Sequence, residues 1–263
     1  MPTKATITPE SRPTARIWAS TERAKIVLSE RTVVVLEQRE HANQAACHQR
    51  FFATITLDMQ IGHILENDHY EIEYLAKRAF WNLNTPGCDE HYLVHRIFAD
   101  PNYVPDLSLV AKSDGKIVGL ILYTKCRLET NGGDIDVLTF GPLCVDPTFQ
   151  RKGIGKALLL ESIQLAKATD YPAIFICGVP TYYPRFGFKP AKEFGVTMPD
   201  GSTFDAFMGY ELKEGSLAGI SGKFYEPSCC DCDIHDERYL AELEEFDRRF
   251  PYMEKKVLPG QWR

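Results

Sequence analysis

The residues from Leu143 to Leu158 constrain the fold of this chain more than any other stretch. An apolar strand ends at Asp146-Pro147, a short loop follows, and an apolar helix begins directly after it. The loop reads Gln-Arg-Lys-Gly-Ile-Gly, and Gly153 and Gly155 let its backbone approach a ligand without an intervening Cβ atom. The first N–H groups of a helix have no partner inside the helix, and the helix dipole adds positive charge there. The stretch therefore predicts a site for an anion such as a pyrophosphate.

A second pattern lies downstream. The run GVPTYYPRFGF at residues 178–188 follows a short apolar segment, Ala173 to Cys177, that predicts a buried strand. Taken alone, its four aromatic residues would most simply be core packing. The dinucleotide-binding fingerprint G-x-G-x-x-G is excluded for the first pattern, because a third glycine is missing at the required spacing.

Together the two patterns resemble those of the GNAT superfamily of N-acetyltransferases. The first is similar to the family's Q/R-x-x-G-x-G/A loop, and the second to its aromatic-Tyr-x-x-x-Gly-Phe element on a short helix. In the second, Tyr183 stands four residues before Gly187. The resemblance implies acetyl-CoA as co-substrate, with Tyr183 beside the thioester sulfur as the catalytic general acid, and we expect no metal.

The resemblance also implies which residues bind acetyl-CoA. The loop holds the pyrophosphate, and the backbone of Leu143 and Val145 binds the pantetheine arm and polarises the thioester carbonyl. The predicted cofactor-binding residues are Leu143, Cys144, Val145, Gln150, Arg151, Lys152, Gly153, Ile154, Gly155 and Lys156.

The implied fold is of the α/β (α+β) class: a mixed, mostly antiparallel twisted sheet flanked by helices, with a splayed central strand pair. Periodicity along the chain gives the order β-α-α-β-β-β-α-β-α-β-β. Asp114-Gly115 predicts a hairpin turn, Asp68 to Glu71 resembles a capping box, and a strand is predicted from Thr203 to Leu212. A last helix is predicted near Asp236 to Arg249, with one apolar stripe formed by Leu240, Leu243, Phe246 and Phe250. Lys255-Lys256 and the terminal residues predict an exposed tail.

Charge suggests where the domain begins. Residues 1–57 carry a balance of +3 and the remainder a balance of −9. We expect residues 1–57 to be a disordered or weakly structured extension, with an accessory segment that binds a partner, or a true start at Met59, as alternatives. Residues 58–212 should form the acetyltransferase domain, and residues 213–263 a C-terminal extension with a strand and a helix.

Composition indicates a soluble, cytoplasmic enzyme. The chain has 44% hydrophobic and 25% charged residues, with neither an apolar run of membrane-spanning length nor a secretory signal. A net charge of −6 argues against nucleic acid as a partner. Eight cysteines without a secretory signal predict reduced thiols. A homodimer is one candidate for the oligomeric state.

One cluster allows a different reading. Cys229, Cys230, Cys232 and His235 contain a C-x-x-C followed by a histidine, which is part of a typical zinc site. A closed structural site needs four ligands, and a second C-x-x-C pair is missing from the sequence. We favour a cysteine-rich surface loop and keep a zinc-dependent interaction protein as an alternative.

The acceptor and its general base are less defined. Deprotonation of the amine could involve Asp134, Asp136, Glu90, His91 or His95, and none is assigned. From the architecture of the family, the acceptor site should lie near Trp81, Cys88, Glu90 and Tyr92. We predict transfer of an acetyl group to a primary amine of a small molecule. A catalytically silent acyl-CoA-binding regulatory module, or a lysine or N-terminal protein acetyltransferase, are the alternatives.

Overall fold

The structure, a computed structural model, describes residues 26–27, 59–233 and 235–261. The prediction for residues 1–57 falls outside these ranges, apart from a two-residue strand. The strands are β1 (Ile26–Val27), β2 (Met59–His63), β3 (Leu109–Ser113), β4 (Lys116–Thr130), β5 (Gly133–Val145), β6 (Ala173–Cys177), β7 (Lys189–Pro190), β8 (Val196–Thr197), β9 (Phe207–Glu211) and β10 (Gly222–Tyr225). The helices are α1 (His69–Phe80), α2 (Glu90–Ala99), α3 (Ile154–Lys167) and α4 (Glu237–Asp247).

These strands form one mixed sheet. Its main path runs β1-β2-β3-β4-β5-β6-β9-β7, and every pair along it is antiparallel except β5–β6. β10 pairs with the last residues of β4 and runs parallel to β8. The predicted fold class is confirmed: a mostly antiparallel open sheet flanked by helices, with one parallel pair in its middle.

Local sequence explains the hairpins. Asp114 and Gly115 join β3 to β4, and both adopt positive φ, at 49° and 76°. Two left-handed residues in a two-residue loop match the twist of the flanking strands, which is why Asp-Gly is favoured there. The predicted strand from Thr203 is shorter, because β9 begins only at Phe207. Asp68 precedes α1 without capping it, since its carboxylate binds the Lys112 ammonium at 2.9 Å and the Leu65 N–H at 3.2 Å.

The two faces of the sheet carry separate cores. On the first, which we call the α3 face, α3 packs Leu158 and Ile163 against Leu138 and Phe140 of β5. On the second, the α1–α2 face, buried residues of both N-terminal helices pack against β4 and β5. This second cluster includes Ile72, Val94, Leu120, Leu122 and Cys144. Nearly complete burial of such side chains supplies the main driving force for folding.

A bulge changes which residues of β5 face α3. In the ladder with β4, Tyr123 lies opposite Phe140 and Ile121 opposite Leu143, so β5 has two residues where β4 has one. The extra residue reverses the alternation of side chains. Phe140 and Leu143 therefore both point to the α3 face, while Cys144 points to the α1–α2 face.

The C-terminal segment, residues 226–261, lies along α1, α2 and the loop between them. The Trp81 indole and the Asn82 amide both donate to the Glu254 carbonyl at 2.9 Å, and the Lys256 N–H donates to Asn82. Residues 254–260 are exposed, as predicted for the tail, and they are also hydrogen-bonded to the α1–α2 loop. The prediction that Leu240 belongs to the apolar stripe of α4 is wrong, because its side chain is 43% exposed.

Tyr239 takes the place expected for Leu240, and its hydroxyl donates to the Asp89 carboxylate at 3.0 Å. Phe246 and Phe250 are buried as predicted. The domain boundaries at residues 58 and 212 remain predictions.

Within the described ranges, the helices all lack the combination of length and apolar character that a bilayer crossing requires.

Candidate active site

The parallel pair β5 and β6 opens into a gap. The two strands are in register through Leu138 and Ile174, and beyond that point β5 continues to Val145 while β6 ends at Cys177. Since no further pairing follows, the strands separate toward their C-terminal ends. We call the space between them the β5–β6 gap.

Two backbone units of β5 face this gap. The Asp146 N–H donates to the Val118 carbonyl at 2.9 Å, so the backbone of Asp146 points to β4. In an antiparallel ladder alternate residues bond to the same neighbour. The N–H and C=O groups of Leu143 and Val145 therefore point the other way, into the gap. Those of Cys144 point to β4, so Cys144 contributes only a buried side chain.

The predicted anion loop has the backbone shape that such a site needs. Arg151 and Gly153 adopt positive φ, at 61° and 85°, which turns the chain sharply into α3. Within the described chain, the N–H groups of Ile154, Gly155 and Lys156 meet no protein acceptor, and α3 has no side-chain cap. The Ile154 side chain is 2% exposed and packs in the core, so only its backbone can contribute. Three convergent N–H groups at a helix N-terminus are suited to a phosphate.

Asp146 fixes the start of the loop. Its carboxylate accepts from the Thr148 hydroxyl at 2.6 Å and from the Arg78 guanidinium at 2.8 and 3.2 Å. Burial alone would raise the pKa of Asp146, but the bonds from Thr148 and Arg78 lower it below its ordinary value. Asp146 is thus ionised at neutral pH and ties the loop to α1. The contact of Arg78 with Asp146 was not predicted, because Arg78 lies outside both sequence patterns and is brought to the loop only by the tertiary fold.

Several exposed basic side chains lie on and beside the loop. Arg151, Lys152 and Lys156 are exposed, and the Lys152 ammonium folds back to the Thr148 carbonyl at 3.1 Å. The Gln150 amide donates to the Val145 carbonyl at 3.2 Å, closing the end of β5. These exposed cations add positive potential to the helix N-terminus.

Tyr182 and Arg185 extend this basic region, and sequence reasoning had assigned them no role. A Cβ atom placed on Gly155 would lie 3.9 Å from the Tyr182 hydroxyl, so this phenol is beside the loop. The Arg185 guanidinium stacks on the Tyr182 ring at 4.1 Å and donates to the Tyr182 carbonyl at 2.9 Å. The double tyrosine in the second pattern was the only signal for Tyr182.

Tyr183 occupies the wall of the gap on the α3 face. Its ring lies against Gly178, where any Cβ atom would overlap it, and its centroid is 5.8 Å from that of Phe140 and 5.6 Å from that of Phe188. The residues 183–186 form a 3-10 helix that ends at Gly187 with φ 97°. The Tyr183 hydroxyl has no hydrogen-bond partner among the described residues, so it is available to a ligand.

Burial, and next the neighbouring Tyr182, raises the pKa of Tyr183 to about 12. The phenol is therefore protonated at neutral pH and can donate a hydrogen bond. An ordinary thiol has a pKa of about 8.5, so full transfer of the phenol proton to a thiolate would be uphill by roughly 4–5 kcal/mol. Tyr183 is consequently suited to stabilise a developing thiolate by hydrogen bonding.

The structure separates the residues expected to line the acceptor site. Trp81 and Tyr92 face the C-terminal segment, where the Tyr92 hydroxyl donates to Glu242 at 2.9 Å. The Cys88 thiol lies 3.5 Å from the His91 ring, in a buried cluster with Asp247. Glu90 is half-buried as the first residue of α2, and burial raises its pKa to about 7.

The cysteine cluster does not assemble a metal centre. Over residues 59–233 and 235–261, no three His, Cys, Asp or Glu side chains are arranged to hold a metal ion. The thiols of Cys229 and Cys230 are 3.9 Å apart, and Cys229 is buried in the core of the α1–α2 face.

Two surface concavities of about 320 and 310 Å³ lie away from the gap. The first is lined by Phe194, Gly195 and residues 217–220, and the second by Lys167, Lys189 and Tyr210 among others. Neither includes a residue of the loop or Tyr183. We assign the site from the gap and the loop, because these carry the groups that can bind and activate a ligand.

Comparison with known proteins agrees with this geometry. Residues 72–188 match the family model described as the acetyltransferase (GNAT) family. The chain is also 36% identical over 132 residues to an N-acetyltransferase, YjhQ of Escherichia coli K12, covering 49% of this chain and 68% of that protein. The chain belongs to the GNAT family of N-acetyltransferases.

A second curated relative, the E. coli K12 N-acetyltransferase YhbS, is 28% identical over 152 residues, which is 57% of this chain and 86% of that protein. The crystal structure of E. coli YhbS in complex with CoA is similar in fold, with a TM-score of 0.58 and 24% identity over 72% of this chain and 95% of that one. A GNAT acetyltransferase of Brucella melitensis in complex with acetyl-CoA gives a TM-score of 0.53 at 25% identity, over 66% of this chain and 98% of that one.

Proposed function

We propose that this chain transfers the acetyl group of acetyl-CoA to a primary amine of a small molecule. The observation that carries the proposal is the alignment of three parts along one path. The loop at Gly153 offers N–H groups to a diphosphate, Leu143 and Val145 offer backbone groups to the pantetheine arm, and Tyr183 offers a hydroxyl beside them. Acetyl-CoA has matching groups in this order, and relatives of this chain are solved with CoA or acetyl-CoA bound.

Each group then has a defined task. The N–H of Leu143 or Val145 polarises the thioester carbonyl, as donors placed at a developing oxyanion do. The amine nitrogen attacks the carbonyl carbon, and the carbon–sulfur bond breaks. Tyr183 stabilises the departing thiolate, and the proton lost from the amine nitrogen is finally carried by the thiol of coenzyme A. The loop and its basic residues supply binding energy remote from the reacting atoms.

Support for a small cationic acceptor comes from charge and shape. The net charge of −6 favours approach of a cation. The C-terminal segment also covers the α1–α2 loop, where the Trp81 indole donates to the Glu254 carbonyl and the Lys256 N–H donates to Asn82, so a large acceptor has less room on that loop. All seven described cysteines are unpaired thiols, which supports a reducing, cytoplasmic location.

The test is release of coenzyme A from acetyl-CoA by the full chain with a panel of small amines, amino acids and peptides. Coenzyme A should be quantified by chromatography, because the exposed Cys177 would react with thiol reagents. Amine-dependent release confirms the proposal, and release with peptides alone would assign a protein acetyltransferase. Tight binding of acetyl-CoA without release for any amine would indicate a silent acyl-CoA-binding module.

A further inference from the structure

A long-range ion pair joins the loop at Gly153 to helix α1. The Arg78 guanidinium donates to Oδ2 of Asp146 through Nη2 at 2.8 Å and through Nε at 3.2 Å. The two residues are 68 positions apart in the sequence, so only the fold brings them together. Their side chains are 29% and 14% exposed, which shields the pair from much of the solvent. A charge-assisted contact that is partly shielded is stronger than an ion pair on the open surface.

Asp146 stands where β5 becomes the loop, and its polar groups are all engaged. Its N–H donates to the Val118 carbonyl of β4 at 2.9 Å, and its carbonyl accepts from the Phe149 N–H at 2.8 Å. Oδ1 of its carboxylate accepts from the Thr148 hydroxyl at 2.6 Å and from the Thr148 N–H at 3.0 Å. Oδ2 accepts from Arg78. Asp146 thereby fixes the turn at Thr148, from which the loop leaves β5.

This turn leads directly into a strained part of the loop. The Lys152 ammonium donates to the Thr148 carbonyl at 3.1 Å, so the loop is folded back on the turn. Between them Arg151 has a φ of 61°, a left-handed conformation that is unfavourable for a residue with a side chain. Such a conformation persists only where the surrounding contacts hold it. The arrangement of the N–H groups of residues 154–156 therefore depends on how firmly Asp146 holds Thr148.

Aromatic rings hold the Arg78 guanidinium in its position. It lies over the ring of Tyr74, one helical turn earlier on α1, at 4.5 Å from the ring centroid. The Tyr74 ring is nearly parallel to that of Phe250, with the centroids 5.8 Å apart and an interplanar angle of 5°. Phe250 is buried and belongs to the C-terminal segment. The contact between α1 and the loop is thus supported by a residue from the far end of the chain.

The ion pair also compensates a charge that would oppose ligand binding. An unpaired carboxylate at Asp146 would repel a diphosphate bound to the same loop, because both groups are anionic. With Arg78 in place, the positive potential of the exposed Arg151, Lys152 and Lys156 remains available to the ligand.

Resting on the proposed function, we propose that Arg78 is a positioning residue for acetyl-CoA. It holds and neutralises Asp146, and thereby sets the loop that receives the diphosphate, without contacting the ligand itself. The thioester is handled by other groups, Tyr183 and the backbone of Leu143 and Val145. Loss of Arg78 should therefore weaken binding of the diphosphate and leave the chemical step nearly intact.

The experiment compares two donors with the full chain. Acetyl-CoA carries the diphosphate, whereas S-acetylpantetheine has the same thioester and arm without it. Arg78→Met should raise the Kd of acetyl-CoA about tenfold in calorimetry, as expected when a hydrogen bond between charged groups is lost. Its kcat with acetyl-CoA, and its kcat/KM with S-acetylpantetheine, should stay within about threefold of the wild type. A variant that is merely destabilised would lose activity with both donors.

Arg127→Met is the matched control, because Arg127 has similar surroundings at the opposite end of β5. Its guanidinium lies 4.1 Å from the Tyr225 ring centroid and 3.1 Å from the Asp134 carboxylate. This variant should bind acetyl-CoA as the wild type does.

A double variant, Arg78→Met with Asp146→Asn, tests whether the effect passes through Asp146. The second change removes the uncompensated charge and keeps a side-chain oxygen that can accept from Thr148. It should therefore restore at least about threefold of the affinity lost in Arg78→Met, as expected for residues that act together. A double variant that binds no better than Arg78→Met would indicate direct contact of Arg78 with the ligand, and this would contradict the proposal.

The other outcomes are also decisive. An unchanged acetyl-CoA Kd in Arg78→Met, an equal loss in Arg127→Met, or an equal loss with S-acetylpantetheine overturns the proposal. If Arg78→Met does not fold, Arg78→Lys keeps the charge without the planar fork and should still raise the Kd about threefold. An unchanged Kd in that variant counts against Arg78.

The Kd is measured without an acceptor, so this inference and the proposed function can fail separately. A wild type that binds acetyl-CoA but releases no coenzyme A with any amine refutes the proposed function. The comparison of Kd between Arg78→Met and Arg127→Met then still decides the role of Arg78. A wild type that does not bind acetyl-CoA refutes both.

Discussion

Removal of the Tyr183 hydroxyl should slow turnover without loosening acetyl-CoA. In Tyr183→Phe the ring keeps its contacts with Gly178, Phe140 and Phe188, so the fold and the gap are preserved. The lost interaction is a hydrogen bond to a sulfur that becomes charged only as the carbon–sulfur bond breaks. Hydrogen bonds to charged groups contribute about 1.5–3 kcal/mol. We therefore expect kcat to fall by roughly 10- to 150-fold, since each 1.4 kcal/mol is a factor of ten in rate.

Tyr182→Phe is the matched control, because it removes the same atom from the adjacent residue. The Tyr182 hydroxyl lies beside Gly155 and not in the wall formed by Phe140 and Phe188, so its loss should weaken acetyl-CoA binding and leave kcat within about threefold. The assay is chromatographic measurement of coenzyme A over a range of acetyl-CoA concentrations, which separates kcat from KM. A kcat for Tyr183→Phe within twofold of the wild type, or an equal loss of kcat in both variants, would refute the assignment.

Three further changes test the loop and the C-terminal segment. Gly153→Ala forces a residue with a Cβ atom into φ 85°, at a cost of about 1–2 kcal/mol, and should weaken acetyl-CoA binding up to about tenfold in calorimetry. Gly201→Ala has a nearly identical φ of 84° in a distant turn and should leave binding unchanged; equal affinity in both would contradict the loop assignment. Asp247→Ala leaves the fully buried Lys77 ammonium without its partner at 2.7 Å, and chemical denaturation should show a loss of about 3–5 kcal/mol. A loss below about 1 kcal/mol would show that this ion pair does not hold α4. Burial lowers the pKa of His91 in the folded state, so stability should be complete above the ordinary histidine pKa of about 6.5 and should decrease as pH falls below it. His91→Gln should flatten the free energy of unfolding over that range, and an unchanged slope would argue against a neutral, buried His91.

The backbone shape of the loop at Gly153 could be predicted because its information is local. A strand, two glycines and the start of a helix follow one another in the sequence, and the φ of 85° at Gly153 is what a glycine at this position permits. The hairpin turn at Asp114-Gly115 could be predicted for the same reason. The separation of β5 from β6 was expected from the resemblance to the family. In the structure these two strands pair only at Leu138 and Ile174, and this single pairing explains the gap.

The acceptor side could not be predicted, because it depends on contacts between distant parts of the chain. Trp81 and Tyr92 are near Glu90 in sequence, yet they bond to residues of the C-terminal segment that are 173 and 150 positions away. The raised pKa of Glu90 is a consequence of tertiary burial, which a sequence does not display. Tyr239 replaced Leu240 on the buried side of α4 because its hydroxyl reaches Asp89, a partner that a pattern of apolar residues does not include.

The crystal structure of the full chain with acetyl-CoA tests the central claim most directly. We predict diphosphate oxygens about 3 Å from the N–H groups of Ile154, Gly155 and Lys156, and the thioester sulfur within hydrogen-bonding reach of the Tyr183 hydroxyl. The acetyl group should lie in the β5–β6 gap beside Leu143. A diphosphate bound away from the Gly153 turn, or a sulfur outside the reach of Tyr183, would contradict this account.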